Sequence, residues 1–236
     1  MEYYTPEEMK TKTNAIKKGF AAQASVRPLP LKGKCVDIFC RSLKNKDSKI
    51  LDFGTGSGGF LKELSSIGYT QLYGCDIGNF MAGDIRSVLN DFRVFDGNSE
   101  NFPWKSGSFD AVTAWEVFEH LENPHHAMRE IWRILKPGGQ LFVSMPNVFH
   151  IVSRLVFLKR GLFPKWNETN NHISVFPHGI FEKTFLRYFD LKEEGYAHAA
   201  IALPGLHRIS RCLPENKWFG TWVYYVLKKL EQPHKQ

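Results

Sequence analysis

A carboxylate stands two residues ahead of a run of glycines in Ile50 to Leu64, ILDFGTGSGGFLKEL. Gly54, Gly56 and Gly59 fit G-x-G-x-x-G, the loop that cradles a dinucleotide diphosphate. Asp52, Gly54, Gly56 and Gly58 equally fit D-x-G-x-G-x-G. Charge separates the two templates: Asp52 repels a doubly negative diphosphate and attracts a ligand that carries an ammonium or sulfonium. The glycines on either side of Thr55 allow close backbone approach in both cases. Asp76 in YGCDIG, followed by Ile77, can accept both hydroxyls of a ribose. Asp96, Gly97 and Asn98 in FDGNSENFPW offer a carboxylate, a backbone N–H and an amide to the edge of an adenine.

These groups need a frame that brings them together, and the hydrophobic pattern supplies one. Val36, Phe39, Cys40 and Leu43 repeat at helical spacing. Lys49–Phe53 is a short apolar strand, and Phe60, Leu61 and Leu64 then run as a helix to Gly68, so the glycine loop joins a strand to a helix. Strands are predicted at 71–75, 92–95, 109–114 and 140–145, with a short helix at 83–89 and another at 126–135 that KPGG (136–139) ends. Such alternation implies a doubly wound α/β fold, a Rossmann-like parallel sheet with helices on both faces. Ligands in such sheets bind at the carboxyl ends of the strands, so Asp52, Asp76, Asp96 and Trp115 are expected to line one crevice. After Met145 the rhythm breaks. A long stretch at 146–178 precedes a helix at 179–188, a strand at 191–198, an irregular segment at 199–219 and a last strand at 221–227. The chain reads as one domain, with a basic helical cap in 1–46 (helix 7–23, preceded by Tyr3 and Tyr4), a ligand-binding core in 47–147, an insertion or lid in 146–178 and sheet-completing strands in 179–236.

The chain has 236 residues and is 43% hydrophobic, enough for one sizeable core and too apolar for disorder. Nothing resembles a spanning helix or a secretory signal. Cys35, Cys40, Cys75 and Cys212 form no C-x-x-C pair and no metal-ligand spacing, so free thiols and a cytoplasmic location are expected. The formal charge of +7 suits nucleic acid, anionic lipid or an acidic substrate, and is also compatible with no charged partner.

Taken in order, ILDFGTGSGGFLKEL, YGCDIG, DGNSENFPWKSGSFDAVTAWEVFEHLENP and REIWRILKPGGQLFVSMPN resemble class I S-adenosylmethionine-dependent methyltransferases, and most nearly the branch that includes the ubiquinone-biosynthesis O-methyltransferases. The resemblance covers residues 49–147. It implies a seven-stranded sheet whose last strand is antiparallel, and S-adenosylmethionine as cofactor. The cofactor-binding residues would be Asp52, Gly54, Thr55, Gly56, Gly58, Asp76, Ile77, Asp96, Gly97, Asn98 and Trp115. The acceptor implied is a small molecule, with methyl transfer to a hydroxyl of a sugar, lipid or quinol.

Glu116, Glu119 and His120 follow the fourth strand, where donor and acceptor should meet. That branch carries a similar E-x-x-E-H that can bind a divalent cation. The same residues also suit a structural turn, or a base at His120. No metal is expected here, and His120 and His172 are the candidate catalytic residues; His178 is a further histidine of the insertion. Val148, Ile151, Val152 and Leu155 form an apolar stripe beside Arg154, Lys159 and Arg160, read as a lid packed on the core or as a peripheral contact with a membrane or lipid-linked acceptor. No obligate protein partner is expected. An RNA methyltransferase is the main rival; AWEVFEH opposes it, because amino-methylating nucleic-acid enzymes carry D/N/S-P-P-Y/F/W at that point. A cofactor-binding protein without transferase activity is the other rival.

Overall fold

Seven strands form one sheet: β1 (Ile50–Phe53), β2 (Leu72–Asp76), β3 (Asp91–Val94), β4 (Phe109–Trp115), β5 (Leu135–Pro146), β6 (Phe189–Ala199) and β7 (Gly220–Lys229). Their order is β3-β2-β1-β4-β5-β7-β6. The pairs from β3 to β5 are parallel, and β7 runs antiparallel to both of its neighbours. This is the expected doubly wound sheet with an antiparallel last strand. The computed structural model describes residues 32–81, 83–166, 171–201 and 213–234. The predicted helix at 7–23, with Tyr3 and Tyr4, lies outside the described residues, as does Cys212. Cys35, Cys40 and Cys75 are free.

Alternate residues of the central strands feed two cores, one on each face. On one face Ile50, Leu72, Ala111 and Phe142 pack against helices α1 (Lys32–Ser42) and α2 (Gly59–Ser66). Phe39 of α1 is fully buried, with Phe60, Tyr69 and Phe142 rings 5.7, 5.5 and 4.8 Å away; burying such a ring stabilises the fold by about 1.5–3 kcal/mol. On the other face Leu51, Val112, Leu141 and Val143 meet α3 (Pro124–Ile134) and α5 (His178–Phe181), which continues as a π-helical turn over Glu182–Leu186. Burial on both faces explains why the central strands read as apolar runs rather than alternating ones.

Three expectations change. The helix foreseen at 83–89 shrinks to a single 3₁₀ turn at Arg86–Val88, because Leu89 turns extended to lead into β3. KPGG does not form a loop after α3. The chain becomes extended at Leu135, and β5 starts there, pairing with Phe109 across a register shift that accommodates Gly138 at φ +73°. The stretch after β5 is also more regular than foreseen. It contains α4 (Ile151–Arg160), capped by His150, whose Nδ1 accepts from the Val152 N–H at 3.1 Å, and ended by Gly161 in the left-handed region.

Candidate active site

At the carboxyl ends of β1 to β4 lies a cavity of about 360 Å³. It straddles the point between β1 and β4 where the strand order reverses, the position at which such sheets bind ligands. Gly54, Gly56, Asp76, Ile77, Asp96, Gly97, Asn98 and His120 line it. Asp52, Thr55, Gly58, Trp115 and His172, also chosen from the sequence, do not.

The loop after β1 is shaped by left-handed backbone. Gly54 has φ +79°, and a Cβ there would sit 2.4 Å from Cγ2 of Val117. Gly56 has φ +53° and open space where a Cβ would be, so its backbone is bare to a ligand. Thr55 works beneath the loop: its hydroxyl donates to the Asp52 carbonyl at 2.8 Å and accepts the Cys75 N–H at 3.0 Å, tying β1 to β2. Gly58 caps α2 and packs against Ile85. The Asp52 carboxyl is buried under the loop and takes a 2.5 Å hydrogen bond from the Thr113 hydroxyl. Burial pushes its pKa up to about 7, against the pull of Thr113. It therefore acts from below the site rather than on its wall.

Asp76 is the carboxylate on that wall. Its Oδ2 accepts the Gly56 N–H at 2.8 Å and its Oδ1 the Ile77 N–H at 2.7 Å, so the side chain fixes the glycine loop while one edge faces the cavity. Burial raises its pKa, and the N–H groups of Gly56, Ile77 and Gly78 oppose the rise. Asp96 organises the next turn, accepting from the backbone and side-chain nitrogens of Asn98 at 2.9 and 3.0 Å and from the Ser99 hydroxyl at 2.9 Å. Phe80 and Phe95 add apolar surface beside Ile77.

Trp115 has to be moved. It ends β4 with the parity of Ala111 and Thr113, which turns it to the α1–α2 face. There it packs against Phe60 and Phe142 at 5.7 and 6.4 Å, away from the cavity. Glu116 is the residue that enters. It sits at φ +58°, a strained conformation for a non-glycine residue. Burial pushes its pKa up to about 7, with Lys165 opposing.

A 3₁₀ turn at Phe118–His120 continues this wall. The returning insertion is tied to it. Ile173 and Ser174 donate backbone N–H groups to the Glu119 carbonyl at 2.8 and 3.0 Å, and the Ser174 hydroxyl donates to the Leu121 carbonyl at 2.6 Å. Asn171 and Ile173 thereby join the lining. His172 stops one ring short of it, 4.7 Å from His120. Nδ1 of His120 lies 3.3 Å from the Asn171 carbonyl, a contact that favours the tautomer with its hydrogen on Nδ1. Burial lowers the pKa of His120, and lowers that of His172 to about 4 with help from His120. Both imidazoles are neutral at neutral pH. The Glu119 side chain is fully buried, neither carboxyl oxygen meets a hydrogen-bond partner among the described residues, and burial holds its pKa well up. One ligand atom from each of Glu119, His120 and His172 lies within 4.8 Å of the others, a donor set of the kind that holds a metal ion. His178 is exposed at the start of α5.

Phe80, Phe95, Asn171 and Ile173 were not foreseen as lining residues. Phe95 directly follows β3 and had a positional signal; the others reach the cavity from irregular segments, where no periodicity points to them.

The chain and its fold have known counterparts. A family model described as a methyltransferase domain matches residues 31–188. The chain is 34% identical over 118 residues to a ubiquinone biosynthesis O-methyltransferase of Xanthomonas oryzae pv. oryzae, covering 48% of each protein. It is 28% identical over 103 residues to a demethylmenaquinone methyltransferase of Chlorobaculum tepidum, covering 44% of this chain and 43% of that protein. The chain thus spans about half the length of the curated relatives it matches. The solved structure of a SAM-dependent methyltransferase from Thermotoga maritima superposes with a TM-score of 0.58 at 19% identity, covering 83% of this chain and 88% of that one, a likeness of fold.

Proposed function

The chain belongs to the methyltransferase-domain family, the class I S-adenosylmethionine-dependent enzymes, and on that premise we propose that it transfers a methyl group to a hydroxyl of a small molecule, such as a sugar, lipid or quinol. The observation that carries the reading is the meeting of two walls in one cavity. One holds Gly54, Gly56, Asp76 and Asp96–Asn98; the other is the Glu116–His120 turn.

S-adenosylmethionine, when bound, supplies an electrophilic methyl on a sulfonium. The residues present fit it. Asp76 would hold the ribose through the lone pairs left after Gly56 and Ile77 are served. Ile77, Phe80 and Phe95 would flank the adenine, with Asp96, Gly97 and Asn98 at its edge. The bare backbone of Gly56 and the Glu116 carboxyl would receive the cationic end, with Asp52 adding charge from beneath. Thr55 and Gly58 support the loop, and Trp115 supports β4.

On the acceptor side the neutral His120 imidazole, on the cavity wall, would take the hydroxyl proton as the oxygen attacks. His172 would hold the His120 ring in place by edge contact. Fixing the acceptor in line supplies about 7–11 kcal/mol by orientation alone, so a modest base suffices. The insertion at 146–178, fastened through Ile173 and Ser174, would close over the acceptor and exclude water. Backbone hydrogen exchange at 171–176 should then slow when cofactor product and acceptor are both present.

A transfer screen with methyl-labelled S-adenosylmethionine against sugars, quinols, fatty acids and RNA tests the reading. Label on a small-molecule hydroxyl is expected. Label on RNA alone would replace the proposal with the nucleic-acid reading, and bound cofactor with no transfer would leave a binding protein.

A further inference from the structure

Among the described residues, helix α4 is built unlike the other helices of comparable length. α3 buries Ala127, Met128, Ile131 and Ile134 in the core, whereas α4 buries no residue. Of its apolar side chains Leu155 is 54% exposed, Phe157 47% and Leu158 82%, and Leu162 just beyond is 43% exposed. The cations here are Arg154, Lys159 and Arg160, and residues 131–167 contain no aspartate or glutamate. Trp218, itself exposed, extends the patch, stacking on the Arg154 guanidinium at 4.1 Å beside Lys217. We propose that this face docks on an anionic lipid bilayer, with the leucines in the headgroup boundary and the cations among the lipid phosphates.

The chemistry of the patch selects that occupant. Lone exposed leucines are ordinary, but a contiguous apolar helix face ringed by cations is the composition of an interfacial helix. A second copy would press these cations against their own kind, in a chain of net charge +7. Nucleic acid offers phosphates but no apolar medium for Leu155, Leu158 and Leu162. A bilayer with anionic headgroups provides both.

The patch also connects to the cavity. Phe157 stacks on Phe163 at 4.8 Å, Phe163 meets Trp166 at 5.9 Å, Trp166 meets His172 at 5.4 Å, and His172 meets His120 on the cavity wall at 4.7 Å. A docked enzyme would thus have its acceptor wall joined by packed rings to the membrane. This consequence rests on the methyltransferase reading of the cavity; the docking does not.

Vesicle flotation decides the proposal. Full-length protein is mixed with vesicles of phosphatidylcholine alone, or of phosphatidylcholine with phosphatidylglycerol. It is expected to float with the second, and to be released as salt is raised. Leu155→Glu with Leu158→Glu, and separately Lys159→Glu with Arg160→Glu, should each weaken that association by about tenfold or more. Melting temperature and S-adenosylhomocysteine binding should stay at wild-type values, since all four side chains are exposed. No flotation, equal flotation with neutral vesicles, or variants that float like wild type would overturn it. So would a wild-type dimer in size-exclusion chromatography that the leucine variant dissolves while no vesicle is bound; the occupant would then be a second copy. Failure of methyl transfer with intact flotation would count against the function proposed above and not against docking.

Discussion

On the wall formed by β1, β2 and β3 the carboxyls are anchored by near neighbours, whereas on the wall formed by the turn after β4 they are buried and left wanting. Asp76 is held by Gly56 and Ile77, Asp96 by Asn98 and Ser99, and Asp52 below them by Thr113. On the opposite side one oxygen of Glu116, on the cavity wall, and both of Glu119, buried behind it, meet no hydrogen-bond partner among the described residues. An unmet buried polar group costs about 1–3 kcal/mol, and burial raises the pKa of both acids, which eases that cost by favouring their protonated forms. The first wall is a finished template, ordered before any ligand arrives. The second is unfinished, and its polar groups have capacity in reserve for a cation, a proton or an acceptor hydroxyl. Ligand recognition and chemistry would thus divide between a rigid and a responsive wall.

The contrast can be broken most forcefully at Gly54. Gly54→Ala places a Cβ against Val117 and forces an L-residue to φ +79°. We expect a loss of about 2–4 kcal/mol in stability, from left-handed strain and overpacking together, read as a fall in melting temperature. A melting curve like that of wild type would mean the loop is not the fixed template described.

Asp76→Ala comes next. It should remove about 1.5–3 kcal/mol of S-adenosylmethionine binding, measured by calorimetry, while the protein stays folded because the strand end faces the cavity. An unchanged dissociation constant would show the ribose site to be misplaced.

The responsive wall is sharpened by pH. Burial raises the Glu116 pKa to about 7 in the free protein, and a cationic ligand favours its ionised form. Affinity for S-adenosylmethionine should therefore rise as pH increases through about 7, by at most tenfold per unit below it, and level off above. Glu116→Gln should make the profile shallower, leaving the part that Asp52, with its pKa also at about 7, contributes from beneath. A wild-type profile that is already flat would remove Glu116 from the cation's surroundings.

The smallest effect is expected at Trp115. Trp115→Phe removes ring volume between Phe60 and Phe142, and costs about 1–2 kcal/mol of stability. Cofactor affinity should move by less than about 0.5 kcal/mol, as for positions outside the site. A larger change would return Trp115 to the binding wall.

The finished wall is also the one the sequence made legible, for a physical reason. Its signals are local: an apolar strand, then glycines that need positive φ, then acids at the strand ends whose partners Ile77, Asn98 and Ser99 follow directly, while the longer links from Gly56 to Asp76 and from Thr113 to Asp52 join neighbouring strands of one sheet. Trp115 was misplaced although strand parity pointed the other way, since it shares a face with Ala111 and Thr113. The opposite wall depends on contacts across about fifty residues, such as Ile173 and Ser174 to Glu119, and no periodicity encodes those. The start of β5 was hidden similarly. KPGG has the composition of a helix stop, yet Leu135 before it pairs with Phe109 and Gln140 after it with Ala111, so these four residues bulge within the strand. In α4 the apolar spacing gave the helix but not its exposure, because periodicity reports a face and not what covers it.

The central claim, that the anchored wall holds S-adenosylmethionine and not a dinucleotide diphosphate, is most directly tested by paired calorimetric titrations of the full chain with S-adenosylhomocysteine and with NAD. The account predicts one-to-one binding of the first and no measurable heat from the second. Saturable NAD binding with no response to S-adenosylhomocysteine would contradict it.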